Sequence, residues 1–91
     1  MRIRWTVPAA DDLENIKRYL SENFPHLAQS TVRRIYESAR SLKTFPSRGR
    51  NGRRSGTREL VLTPLPYIVA YRIKNETVEI LNVWHNAQDR H

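Results

Sequence analysis

GTRELVLTPLPYIVAYRIKNETVEILNVWH, residues 56–85, is the stretch whose reading decides the fold. It holds three runs rich in branched and aromatic residues, Thr57 to Thr63, Tyr67 to Lys74 and Thr77 to His85, each bounded by turn chemistry. Pro64 and Pro66 have no backbone N–H to give a ladder, so Pro64-Leu65-Pro66 is a connection. Lys74-Asn75-Glu76 is polar and short enough for a hairpin. The pattern predicts an antiparallel meander. Its middle run, Tyr67 to Ile73, has no fully polar face until Arg72, as in a central strand covered on part of both faces.

Toward the N-terminus, Arg2-Ile3-Arg4-Trp5-Thr6-Val7 alternates basic and apolar residues and puts Ile3, Trp5 and Val7 on one face, which predicts a further strand. Pro8 suits a first helical position, and Asp11 and Asp12 follow in the first turn, where the helix dipole favours negative charge. Leu13, Ile16 and Leu20 recur at helical spacing, widened by Ala9 or Ala10 and Tyr19, while Asp12, Glu14, Lys17 and Arg18 point outward. Asn23-Phe24-Pro25 interrupts this helix. From about His26, the set Ala28, Val32, Ile35, Ala39 and Leu42 forms the seam of a second helix, which Phe45-Pro46 ends. The two form an antiparallel hairpin, and the small Ala28 and Ala39 allow close approach. The order is therefore β-α-α-β-β-β, an α+β fold over residues 1–91, with the helical hairpin packed on a small, largely antiparallel, four-stranded twisted sheet. The second face of that sheet is expected to stand exposed.

Ser47 to Ser55 holds four arginines, two glycines and no apolar side chain, and is expected to be a mobile loop outside the core. Asn86 to His91 is polar and expected to fray. A chain of 91 residues makes one domain that buries only about two-thirds of its unfolded surface, so a partner covering apolar surface would add stability. With no cysteine, disulfides and thiolate zinc sites are excluded, and the cytoplasm is the expected compartment. No stretch approaches the ~18 apolar residues of a membrane span. Sixteen Lys and Arg against nine Asp and Glu give a charge of +7, which favours a polyanionic partner, nucleic acid or acidic protein.

Four pieces of sequence carry a family likeness: Ala10-x-Asp12-Leu13-x-x-Ile16 with Tyr19; LKTFPSRGR, residues 42–50; Gly56-Thr57-Arg58-Glu59-Leu60-Val61; and Pro66 to Arg72 followed by Val78-Glu79-Ile80-Leu81 and Val83-Trp84-His85. In this order they resemble the RelE/ParE superfamily of type II toxin–antitoxin toxins over nearly the whole chain. The resemblance implies a growth-inhibiting toxin of a plasmid-stabilisation module. It also implies neutralisation by a cognate antitoxin whose acidic or disordered C-terminal segment wraps the toxin in a hetero-oligomer. It implies no cofactor and no membrane partner. One branch, RelE-like, cuts messenger RNA on the ribosome without a metal; the other, ParE-like, poisons DNA gyrase. The cutting branch commonly begins its central strand with an arginine in an Arg-x-x-Tyr pattern, where this chain has Ile68-Val69-Ala70-Tyr71. Isoleucine cannot hold a phosphate or stabilise its developing charge, which tilts the reading toward gyrase.

If the chain were a nuclease, Arg58 and Arg72 would neutralise phosphate and His85 would move the proton, its ordinary pKa lying near working pH. Arg58 and Arg72 are expected to share one side of the sheet with His85. Against that, His85 can simply cap the sheet through a backbone hydrogen bond. Asp89, four residues on, could orient the imidazole if the tail were helical. Arg48, Arg50, Arg53, Arg54 and Arg58 form the strongest electrostatic feature, able to bind phosphate or an acidic partner, or else an ordinary solvated surface. His26, His85 and His91 are scattered, with no metal-ligand spacing. Trp5, Tyr67, Tyr71 and Trp84 are expected in the core.

Overall fold

The computed structural model describes residues 1–87. Strand β1 (Arg2–Trp5) leads into helix α1 (Val7–Asn23), helix α2 (Pro25–Arg40) and a short 3₁₀ turn (Ser41–Lys43). Four strands follow: β2 (Arg50–Asn51), β3 (Arg58–Val61), β4 (Tyr67–Lys74) and β5 (Thr77–His85). They form one five-stranded sheet in the order β1-β5-β4-β3-β2. The helices cover one face.

The meander forms with β4 and β5 at the predicted bounds and β3 shortened to Arg58–Val61. Asn75 and Glu76 turn the β4–β5 hairpin with φ of 52° and 57°, the left-handed pair that matches the twist of two antiparallel strands. The sheet departs from expectation in having five strands rather than four. It is largely antiparallel as expected, with β1 running parallel to β5 in the register Ile3 to Val78 and Trp5 to Ile80. The two-helix crossover between β1 and the meander brings the chain back in the same direction, which a tight turn could not do.

Helix α1 starts one residue earlier than Pro8 predicts, because the Thr6 side chain accepts the Ala9 N–H at 3.4 Å and so caps the helix. Phe24 alone separates the helices, its N–H donating to Leu20 O at 2.7 Å. Helix α2 ends at Arg40, short of Phe45-Pro46, and passes into the 3₁₀ turn. The core lies between the helices and one sheet face, where Ala9, Ile35, Ala39, Leu42, Val69, Tyr71, Val78 and Ile80 are fully buried. Tyr67 and Trp84 are buried as well, while Trp5 is half-buried and stacks on the exposed Tyr36.

The segment after Pro46 is not the free loop its composition predicts. Gly49 is buried, its N–H donates to the Tyr71 hydroxyl at 2.8 Å, and that hydroxyl donates to Pro46 O at 2.7 Å. A Cβ at position 49 would lie 2.7 Å from the Tyr71 ring edge. The glycine therefore allows the close approach, and Arg50–Asn51 then pairs with Arg58 and Glu59 as a fifth strand.

Candidate functional site

Two surfaces concentrate chemistry. The first is a cleft of ≈ 820 Å³ between the facing ends of the helical hairpin and the last turn of β5, floored by Ile16, Leu20, Tyr67 and Val83. Tyr19, Phe24 and Leu27 stand on its rim, 55%, 44% and 43% exposed. Large apolar side chains gathered so openly mark a docking surface. The sequence predicts Asp12 pointing outward, but it turns into this cleft. Its carboxylate accepts Val83 N–H at 2.9 Å and Asn82 Nδ2 at 3.2 Å, tying α1 to β5. The signal was in the spacing, since Asp12, Ile16, Tyr19 and Leu20 share one helical face.

His85 also lines the cleft, edge-on to Tyr67 with ring centroids 5.5 Å apart. Its Nδ1 accepts the Ala87 N–H at 3.0 Å, the kind of backbone bond expected of a strand-end cap. Burial, with Tyr19 adding to it, pushes the Tyr67 phenol above its ordinary 10.0, so Tyr67 stays neutral at working pH. Asp89 and His91 lie outside the described residues.

The second surface is the sheet face away from the helices, where ion pairs replace the apolar exposure the sequence predicts. Glu79 is 7% exposed and lies between two arginines: Arg4 donates through Nε at 3.0 Å and also through Nη2, and Arg72 donates through Nε at 2.6 Å. These hydrogen bonds hold the Glu79 carboxyl below its ordinary value of 4.5. One strand over, Arg50 donates to Glu59 at 3.0 Å.

The register settles where the candidate nuclease residues stand. Arg58 pairs with Tyr71 and His85 with Tyr67, so both project toward the helical side. Arg72 pairs with Glu79 and projects to the other side, contrary to the shared face expected. Arg72 and the His85 pair also lie five residues apart along β4, roughly 17 Å. Arg58 spends its guanidinium on the Gly49 and Ser47 carbonyls at 2.8 and 3.3 Å, clamping the segment before β2. The loop arginines disperse too: Arg48 bonds the Ser41 hydroxyl at 2.7 Å, Arg50 bonds Glu59, and Arg53 and Arg54 line a hollow beside Trp84. Among the described residues no group of His, Asp and Glu could hold a metal ion, and no helix is long and apolar enough to cross a membrane. The arrangement can grip protein surface and acidic groups; it does not converge on one reacting atom.

Residues 3–90 match the family described as the ParE toxin of the type II toxin–antitoxin system parDE. The chain belongs to the ParE toxin family. Two relatives extend the match. Protein Y4kP of Sinorhizobium fredii is 45% identical over 87 residues, covering 96% of this chain and 90% of that protein. Toxin RelE2 of Caulobacter vibrioides is 34% identical over 87 residues, covering 96% and 97%. Among solved structures, a chain of the chromosomal ParDE TA system from P. aeruginosa superposes with a TM-score of 0.87 at 28% identity, over 93% of this chain and 95% of that one. A chain of the toxin–antitoxin complex RelBE2 from Mycobacterium tuberculosis gives 0.57 at 27% identity, over 92% and 95%. The wider RelE/ParE superfamily and the α+β fold expected from the sequence are thus both shown for this ParE-family toxin.

Proposed function

We propose that this ParE-family toxin arrests growth by binding DNA gyrase and blocking its cycle, with no catalysis of its own. In this reading it forms a single domain that acts in the cytoplasm. A cognate antitoxin neutralises it there as part of a plasmid-stabilisation module. The observation that carries the gyrase reading is residue 68. Where the RNA-cutting branch places an arginine, Ile68 lies 8% exposed on the sheet face away from the helices, opposite Trp84. It offers no guanidinium to a phosphate.

The split of Arg58, Arg72 and His85 over two faces supports the same reading, because proton transfer and charge neutralisation have to meet at one phosphate. The nearer backbone likeness to the ParDE chain than to the RelBE2 chain also supports it. For the antitoxin, the open apolar cleft fits an amphipathic helical face, and the basic surface fits an acidic tail that orders as it binds.

The test is gyrase supercoiling in the presence of purified toxin at micromolar concentration. Supercoiling should fall, and added antitoxin should restore it. A folded Arg72→Ala, His85→Ala double variant should stay toxic. Intact supercoiling with cut transcripts would instead return the reading to a ribosome-dependent messenger RNA endoribonuclease, with Arg58, Arg72 and His85 as its candidate residues.

A further inference from the structure

Tyr36 stands on α2 as a ridge between two hollows. It is 51% exposed, and its ring stacks on Trp5 of β1 at 6.0 Å and 13°. On one side, in the groove between α1 and α2, lies a hollow of ≈ 540 Å³ lined by Leu13, Ala28 and Val32 and flanked by the exposed Lys17 and Arg33. On the other side is a hollow of ≈ 190 Å³ lined by Ile3 and Trp5 and flanked by the exposed Arg40 and Lys43. Arg33, Tyr36 and Arg40 are spaced by three and four residues, so they share a stripe of α2 with the two arginines about 10 Å apart along its axis.

The charge on this surface is not consumed by the fold. Arg4, Arg50 and Arg72 are each bound to a glutamate of the sheet. Among the described residues, Lys17, Arg33, Arg40 and Lys43 have no carboxylate partner, and no carboxylate lines either hollow. Cations on both sides of an exposed stack fit a polyanion. The aromatic pair decides which one. An acidic peptide satisfies the cations but makes no use of a parallel stack of rings. A nucleic-acid strand alternates phosphates with flat bases, and an unpaired base adds a further plane to Tyr36. A duplex keeps its bases stacked on one another and has none to offer. Deoxyribose and the thymine methyl group also suit the aliphatic linings, where the 2′-hydroxyl of ribose would lose water against Leu13 and Val32.

We propose that the Tyr36 ridge binds single-stranded DNA without reading its sequence, with a base stacked on Tyr36, the flanking sugars and bases over the two hollows, and phosphates on Lys17, Arg33, Arg40 and Lys43. The inference goes beyond the gyrase reading and does not depend on it.

The experiment follows the fluorescence anisotropy of a labelled thymidylate oligomer of about 12 nucleotides, within the ~4–16 of known single-strand sites, as purified toxin is added. At about 0.7 per phosphate contact, four contacts give a slope of about −3 for log affinity against log salt, and Arg33→Ala or Arg40→Ala should each make it shallower by about 0.7. Tyr36→Leu should weaken binding roughly 5- to 100-fold, while Tyr36→Phe, which keeps the ring, stays near wild type. Lys74→Ala, which removes an exposed cation on the sheet face away from the helices, should change affinity little. The proposal is overturned if the oligomer does not bind, or if Tyr36→Leu, shown to be folded by circular dichroism, binds as tightly as wild type. It is equally overturned if Lys74→Ala costs as much as Arg33→Ala, or if a duplex of the same length or a uridylate oligomer binds as tightly as the thymidylate. Gyrase does not enter this titration, so its failure and that of the gyrase reading are seen separately.

Discussion

Tyr71→Phe removes one oxygen from a fully buried side chain, and the structure says what that oxygen holds. It accepts Gly49 N–H at 2.8 Å and donates to Pro46 O at 2.7 Å, closing the segment that leads into β2. Phenylalanine keeps the ring and its packing, so the change isolates the two hydrogen bonds. The orphaned Gly49 donor is buried, which costs about 1–3 kcal/mol, and the lost bond to Pro46 adds about 1 kcal/mol. The sum, about 2–4 kcal/mol, is a large share of the ~5–15 kcal/mol that holds a domain of this kind. At roughly 4–8 °C per kcal/mol for this size, the midpoint should fall by roughly 8–30 °C. Urea unfolding of wild type, Tyr71→Phe and Tyr67→Phe gives the comparison, since among the described residues no hydrogen bond to the Tyr67 hydroxyl is seen and its loss should cost under ~0.5 kcal/mol. The Gly49 amide should also exchange faster in Tyr71→Phe alone. Equal destabilisation by both variants, or an unchanged Gly49 amide, would refute the clasp.

Two other outcomes follow from the ion pairs and the cleft. Glu79 is held below its ordinary 4.5 by the hydrogen bonds from Arg4 and Arg72. Its contribution to stability is therefore present above about pH 4.5 and is lost as pH falls through the lower folded value, so Glu79→Gln should flatten the acid side of the stability–pH curve below pH ~4.5, as read by denaturation across pH. Asp12→Ala should destabilise by about 1–3 kcal/mol by leaving Val83 N–H without its acceptor, and Asp12→Asn, which keeps an oxygen there, by less; chemical denaturation of the pair checks both.

The meander was legible because its signals are local. Proline punctuation, a polar turn and branched runs fixed β4 and β5 to the residue. The position of β1 was not, because a parallel partner is chosen by the crossover and not by the strand's own pattern. Nor was β2 legible. Arg50 and Asn51 carry no strand signal, and they pair only because Gly49 can sit against Tyr71 and Arg58 can grip the Gly49 carbonyl. The cleft residues divide the same way. His85 stood out in the sequence because it closes a strong strand, whereas the inward turn of Asp12 was missed because a carboxylate near a helix start reads as a dipole partner until the facing β5 backbone is in view.

Composition also hid how the charge is used. A surplus of seven positive charges reads as one electropositive surface, yet Arg4, Arg50 and Arg72 are each bound to a nearly buried glutamate. Those glutamates sit on strands whose opposite neighbours, Leu60, Val78 and Ile80, enter the core. Alternation forces a side chain outward there, and no helix covers that face. A carboxylate beneath two arginine stems keeps its hydrogen bonds while the half-exposed guanidinium heads stay in water, which avoids most of the desolvation cost of a fully buried pair. The arginine pair thus serves as the missing layer of the sheet. It follows that Arg4 and Arg72 cannot be deleted as if they were only binding residues. Toxicity lost with either one has to be compared with unfolding of the same variant before it is credited to a partner.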